Sequence, residues 1–433
     1  MNKKIQIMIF RRFQIAAIGL SCLCCNIHGQ TFGDAFEDKT LRLDYTFCGN
    51  NRHQRISLCE MTVTDGWFGR RNNLDKLLLN GNGQVTVKDT TGTRVLYCNS
   101  FSTLFQEWQS TEEATRVDKS FENTFLVPMP REVVDISVTL TDTHGKVIGS
   151  LTHRVSPDDI LIRKGTCSVE WKYLMESGDS REKIDLVFVP EGYTTEEMTL
   201  FEKDCAESMD AIMSHAPFST LKDRFNVVAV LAPSQESGVS IPHDGDWRNT
   251  LLGASFDTFY SNRYLTTLHL RKLHDVLLGI PYEHIIILTN TSNYGGGGIF
   301  NSYLMTAAHN PKNRPVVVHE FGHSFGGLAD EYYYDDQYET MYPADTEPWE
   351  PNITTLVDFG QKWQDMLPAS VSIPTIPDGR NVNTAVGVYE GGGYQSKGVY
   401  RPVQECRMKV NEAPVFCPVC DRAIRRMIDY YTR

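Results

Sequence analysis

The stretch "VVVHEFGHSFGGLADEYYY", Val316 to Tyr334, sets three valines against two histidines, a glutamate and an acidic pair around a double glycine. His319 and His323 are four residues apart, so on an α-helix they share one face, one turn apart, and both imidazoles can reach a single ion. Glu320 sits beside them, within reach of a water at that ion. The valines read as the apolar side of a helix entering a core, and Gly326-Gly327 as the end of that helix. This is the H-E-x-x-H pattern, in which a Zn2+ ion is held by the histidines (here His319 and His323) and the glutamate (Glu320) is the general base.

A catalytic zinc takes a third protein ligand and keeps one position for water. Six residues after His323 stands Ala329, which cannot coordinate. Asp330, one residue further, is the expected third ligand, and Glu331 is the alternative. The paired glycines can absorb the one-residue shift. His215, His243, His269, His274, His284 and His309 have no ligand-like spacing and read as structural or surface residues.

Further motifs lie around this centre. They are "FVPEGYT" at 188–194, "GGGGIFNSY" at 295–303, "GVYEGGGYQSKGVYRP" at 387–402 and "CRM" with "FCPVC" between 406 and 420. Together with "HEFGHSFGGLADEY" they resemble the M64 family of zinc peptidases, the IgA peptidase family, from about residue 166 to the end. The resemblance implies a zinc-dependent peptidase of metzincin-like fold, with His319, His323 and Asp330 as ligands and Glu320 as base. Specificity for immunoglobulin A does not follow from it. Met408 lies where a metzincin places the methionine of its turn, an apolar floor beneath the ligands, although a core methionine reads the same way. Tyr394 and Tyr400 are candidate hydrogen-bond donors to a tetrahedral oxyanion, or else structural tyrosines. The run from Gly295 reads as an edge strand beside the cleft, where an extended peptide can pair.

Upstream the pattern changes. From Thr31 to Ser156 short runs such as "LRLDYTF", "QVTVKD" and "DISVTLTDTHGKVIGSLTHRV" alternate with turns. They predict an antiparallel β-sandwich over 30–165, carrying no chemistry and folding on its own, followed by an α/β domain over 166–433. Residues 1–29 place Lys3, Lys4, Arg11 and Arg12 before a short apolar run, the pattern of a secretory signal peptide. Cys22, Cys24 and Cys25 in that segment allow lipid attachment as an alternative to simple cleavage. The expected location is therefore secreted, periplasmic or at the cell surface. No other segment reads as membrane-spanning.

The formal net charge of −12 disfavours nucleic acid as a partner. Of the cysteines beyond the leader, Cys406 with Cys417 or Cys420 is the expected local disulfide. "CPVC" reads as half a zinc knuckle only if a second cysteine pair exists; the sequence offers none, which leaves a disulfide or free thiols. The expected function is an exported endopeptidase acting on protein or peptide. The alternatives are a surface binding protein with a structural or idle zinc site, and a zinc amidase with a non-protein substrate.

Overall fold

The computed structural model describes residues 31–335 and 341–433. The expected leader, residues 1–29, lies outside the described residues.

The alternating runs of the first region become eight strands: β1 (Phe36–Gly49), β2 (Gln54–Asp65), β3 (Gly83–Asp89), β4 (Val95–Phe101), β5 (Lys119–Pro130), β6 (Val134–Thr141), β7 (Val147–Val155) and β8 (Ile162–Lys164). They form two four-stranded sheets, ordered β5-β1-β2-β8 and β4-β3-β6-β7. In β6, "VDISVTLT", buried and half-buried residues alternate throughout, as a strand with one face on a core requires. Leu43, Tyr45 and Phe47 of β1 meet Val85, Val87, Ile136 and Val138 of the other sheet in one core.

One feature departs from the expected antiparallel sandwich, and a second adds to it. β8 runs parallel to β2, with Ile162 opposite Met61. The chain enters that edge from the other sheet rather than through a hairpin, so nothing forces antiparallel pairing. A short helix, Leu104–Gln109, capped by the Thr103 side chain, also stands between β4 and β5. Six residues are too few for a helical period to show in the sequence.

The second region is built on a six-stranded sheet of β9 (Glu170–Met175), β10 (Ile184–Glu191), β11 (Phe225–Leu231), β12 (His284–Thr289), β13 (Gly296–Ile299) and β14 (Tyr303–Ala307). Its order is β13-β14-β12-β10-β11-β9. The four inner strands are parallel, and the edges β9 and β13 are antiparallel to their neighbours. β10 is buried at every residue, which is why its middle, Leu186 to Pro190, reads as an apolar run without alternation. The Asn313–Ser324 helix packs against β13, β14 and the Met198–Met213 helix. A helix spans Leu270–Val276, and just before it Thr266 bridges to Ser255.

A small sheet follows, β15 (Tyr333–Tyr334), β16 (Tyr389–Gly392) and β17 (Tyr394–Arg401), ordered β15-β17-β16, and the chain closes with the Pro418–Thr432 helix.

Sheet membership passes from the first region to the second between Lys164 and Glu170. The two regions nevertheless share one core, which runs from Phe47 and Phe105 to Ile285 and Met305. Ser102 N–H donates to the Phe300 carbonyl at 3.0 Å. Arg42, only 3% exposed, pairs with Asp44 in its own region and with Asp275 in the other. These contacts run against the expectation that the first region folds alone.

Candidate metal centre and active site

The Asn313–Ser324 helix buries Val316, Val317, Val318 and Phe321 and presents His319 and His323 on its remaining face. Gly327, in the left-handed region at φ 60°, ends the turn that follows it. The chain then doubles back. His323 Nδ1 donates to the Leu328 carbonyl at 2.6 Å, and His319 Nδ1 donates to the Arg407 carbonyl at 2.9 Å. A carbonyl only accepts, so both protons sit on Nδ1 and both Nε2 atoms are left as lone-pair donors.

Those two Nε2 atoms lie 3.0 Å apart. Asp330 Oδ1 lies 3.0 Å from His319 Nε2 and 3.3 Å from His323 Nε2, yet it is buried with no well-aligned hydrogen bond. Three electron-rich atoms facing one point repel each other unless a cation stands between them. A tetrahedral zinc with Zn–N bonds near 2.0–2.1 Å would set its ligand nitrogens about 3.3 Å apart. The donor set therefore fits zinc.

Without a cation the cluster would hold a proton. Burial opposes charging His323, but the Asp330 carboxylate outweighs it and pushes the imidazole up to about 9. Burial also opposes the Asp330 charge, and the imidazoles overcome it, holding the carboxyl well below its usual range.

The small sheet supplies the support for Asp330. β15 pairs in parallel with β17, Tyr333 opposite Tyr394, and Gly393 N–H donates to the Asp330 carbonyl at 2.8 Å. This register brings the Tyr394 hydroxyl onto Asp330 Oδ2 at 2.5 Å. Tyr394 thus spends its proton on the carboxylate. Tyr332 stacks edge-on against Tyr394, with ring centroids 5.2 Å apart. Tyr400 pairs through its backbone with Thr354 and packs on the core of the second region.

Met408 is fully buried beneath the helix; a Cβ on Gly322 would stand 2.6 Å from its sulfur. Its carbonyl accepts from Glu331 N–H at 2.8 Å. The Glu320 carboxylate lies alongside Gly296 of β13. Burial raises its pKa, against the pull of His319 and His323.

Glu331, the alternative third ligand, points elsewhere. Its carboxylate accepts from Asn352 at 3.0 Å and meets Cys420 at 3.2 Å. The expected local disulfide is absent among the described residues, where every cysteine is free. The six histidines read as structural or surface residues stay apart from the cluster of His319, His323 and Asp330: His309 pairs with Asp204, His274 with Tyr282 and His243 with Asp257, His284 packs on Phe325, His269 lies against Gly253, and His215 sits 3.5 Å from Arg407.

A family model described as IgA Peptidase M64 matches residues 173–382 and 377–428. The chain belongs to the M64 peptidase family. A further model, Peptidase M64 N-terminus, matches residues 31–152, so the M64 architecture comprises both regions. No curated protein matches the chain. Membership makes this chain a peptidase, a hydrolase whose substrates are proteins or peptides.

In this M64 peptidase the N-terminal domain also reaches the site, which its sequence did not suggest. Glu107, on the Leu104–Gln109 helix, accepts from the Tyr264 hydroxyl. Burial pushes its carboxyl up to about 7 even against that bond, and the charges of His323 and Glu320 act on it as well.

The glycine run has a packing reason. A Cβ on Gly298 would lie 2.4 Å from the Glu320 carbonyl and 3.0 Å from His323 Cβ, so β13 packs closely on the Asn313–Ser324 helix. Gly298→Ala is expected to destabilise the M64 peptidase by about 1–3 kcal/mol, as overpacking does, and to lower activity by displacing Glu320. Thermal unfolding alongside peptide hydrolysis would check this; an alanine variant with parental stability and rate would refute the close approach.

Proposed function

We propose that this protein is an exported zinc-dependent endopeptidase of metzincin-like fold, with zinc held by His319, His323 and Asp330 and with Glu320 as general base. The observation that carries the reading is the convergence of two Nε2 lone pairs and an unpartnered carboxylate oxygen within 3.0–3.3 Å. Zinc, when bound, supplies a Lewis acid that acidifies water and polarises a carbonyl. Glu320 takes the proton of the attacking water and passes it to the leaving amine. His319 and His323 stay neutral, held in that tautomer by Arg407 and Leu328. Among the described residues β13 ends the sheet with no further strand on its outer side, so its backbone N–H and C=O groups can pair with an extended substrate. Met408 is read as the floor of the site. Export rests on the basic and then apolar leader of residues 1–29, and among the described residues no helix is long and apolar enough to cross a membrane.

An unbiased peptide-library digest, run with and without a chelator, tests the reading. Cleavage that stops on chelation and returns with zinc is expected; chelator-resistant cleavage, or none by the zinc-loaded protein, would overturn it.

Tyr394 is read as a positioning residue. Tyr394→Phe removes the donor to Asp330 Oδ2 and is expected to weaken zinc affinity about 10–100-fold, the usual cost of losing a group that orients a metal ligand. Competition with a chelator of known affinity measures this directly. An unchanged affinity with a reduced turnover would return Tyr394 to the oxyanion role.

A further inference from the structure

Directly after Asp330 the chain enters a second cluster. Glu331, Cys406, Cys417 and Cys420 each offer one ligand atom, and these atoms all lie within 4.8 Å of one another. All four residues are fully buried. Cys420 Sγ stands 3.7 Å from Cys406 Sγ and 3.2 Å from Glu331 Oε1. Backbone N–H groups already address two of the sulfurs: Cys417 N–H donates to Cys406 Sγ at 3.2 Å, and Cys420 N–H to Cys417 Sγ at 3.5 Å.

The carboxylate is the least explained part. Glu331 Oε1 takes the Asn352 amide, but Glu331 Oε2 is buried without a partner. A buried carboxylate oxygen with no donor is costly and calls for an unseen group. Arg401, 3% exposed, stands close enough for its charge to act on Glu331. Its Nη1 is committed to the carbonyls of Glu390 and Gly391.

We propose that Glu331, Cys406, Cys417 and Cys420 hold a second, structural zinc ion. Tetrahedral zinc with Zn–S near 2.3 Å and Zn–O near 2.0 Å sets sulfurs about 3.8 Å apart and sulfur from oxygen about 3.5 Å. The cluster shows 3.7 and 3.2 Å. A disulfide needs sulfurs about 2.05 Å apart, and it would leave one thiol and the orphaned carboxylate unexplained. Zinc satisfies all four donors at once. The three thiols give up their protons to solvent on binding, and the surplus negative charge of three thiolates and a carboxylate lies beside Arg401. Four protein ligands leave no position for water, so the site is structural and takes no part in hydrolysis.

Its place explains its use. Glu331 follows Asp330 and donates its N–H to Met408, while Cys406 lies two residues before Met408, in the turn whose Arg407 carbonyl orients His319. Cys417 and Cys420 sit at the start of the C-terminal helix. The ion therefore clamps the loop carrying Asp330, the turn beneath His319 and the last helix together behind the first metal centre. The proposal does not rest on the peptidase reading.

The test uses the whole mature protein. Zinc-loaded parent is expected to carry two equivalents of zinc by elemental analysis. The His319→Ala/His323→Ala double variant should retain one. Cys417→Ser/Cys420→Ser should lose that one, keep the zinc at the histidines, and melt at lower temperature. Loaded with cobalt chloride instead, the histidine double variant should still show thiolate-to-cobalt charge-transfer absorption in the near ultraviolet, which a site of two imidazoles and a carboxylate cannot give. That spectrum decides the matter even if the cysteine variant fails to fold. A histidine variant without metal and without that band, or a disulfide at Cys406 mapped in metal-loaded parent, would overturn the proposal. Failure of the parent to cleave peptides would leave the thiolate band untouched and count against the peptidase reading alone.

Discussion

Replacing Glu320 by glutamine is expected to leave the protein folded and zinc-loaded while lowering peptide hydrolysis by at least about two to four orders of magnitude, the typical worth of a positioned acid–base group. The expectation follows from where Glu320 stands. It is not among the three converging ligand residues, so its substitution removes no bond to the ion. The amide has nearly the shape of the carboxylate, so the space beside Gly296 is filled as before. What it lacks is the ability to take a proton. Substrate binding should survive, and the variant should hold a peptide without cutting it. Zinc content, thermal unfolding and hydrolysis measured on one preparation separate the outcomes. A folded, zinc-loaded variant that cleaves at the parental rate would sink the mechanism.

How much of this was legible in the sequence depends on how local each determinant is. His319, Glu320 and His323 could be read because the helical period alone puts them together. Asp330 could be narrowed to a pair with Glu331, since the double glycine announced a turn, but choosing between adjacent acids needed knowledge of what lay behind the turn. That proved to be three cysteines from 75 or more residues further on, which draw Glu331 away and leave Asp330 for the histidines. For the same cysteines the sequence, which offers no second pair to match "CPVC", leaves a disulfide or free thiols; the structure has the thiols free and gathers Cys406 and the Glu331 carboxylate beside them. From the sequence Tyr394 reads as a candidate oxyanion donor or a structural tyrosine. Its bond to Asp330 follows from the parallel pairing of β15 with β17, a long-range register that no local pattern reports. The strands of the N-terminal region were legible from their alternation. Glu107 was not, because its helix is too short to show a period and its partner Tyr264 belongs to the other domain.

A chain starting near residue 166 is expected to aggregate, or to fail to cleave short peptides even when loaded with zinc, although the alternating pattern of the first region had suggested it could be spared. The reason is what the first region covers. The Arg70 guanidinium lies between the Tyr97 and Tyr430 rings, 4.8 and 4.7 Å from their centroids. Asn73 donates to the Tyr430 and Arg433 carbonyls, and the Tyr430 hydroxyl returns a bond to Lys76. The end of the C-terminal helix, whose start carries Cys417 and Cys420, is thus fastened to the N-terminal domain. Nearer the cleft, Asn301 donates to the Ser100 carbonyl at 2.8 Å and the Trp349 indole to Asn82 at 2.6 Å. Phe300 packs on Trp349 with ring centroids 5.2 Å apart. Removing residues 31–165 would expose Ile285, Met305 and their neighbours from the shared core, and a contiguous apolar face of that kind drives association. It would also release Tyr264 from Glu107, freeing the loop beside Glu320. Size-exclusion chromatography, zinc analysis and hydrolysis of a library-derived peptide on the shortened chain provide the check. Supplying residues 31–165 in trans should restore solubility and cleavage together if the contacts act as described. A monomeric shortened chain with parental kcat/KM would show instead that the catalytic region is self-sufficient and that Glu107 does not serve the site.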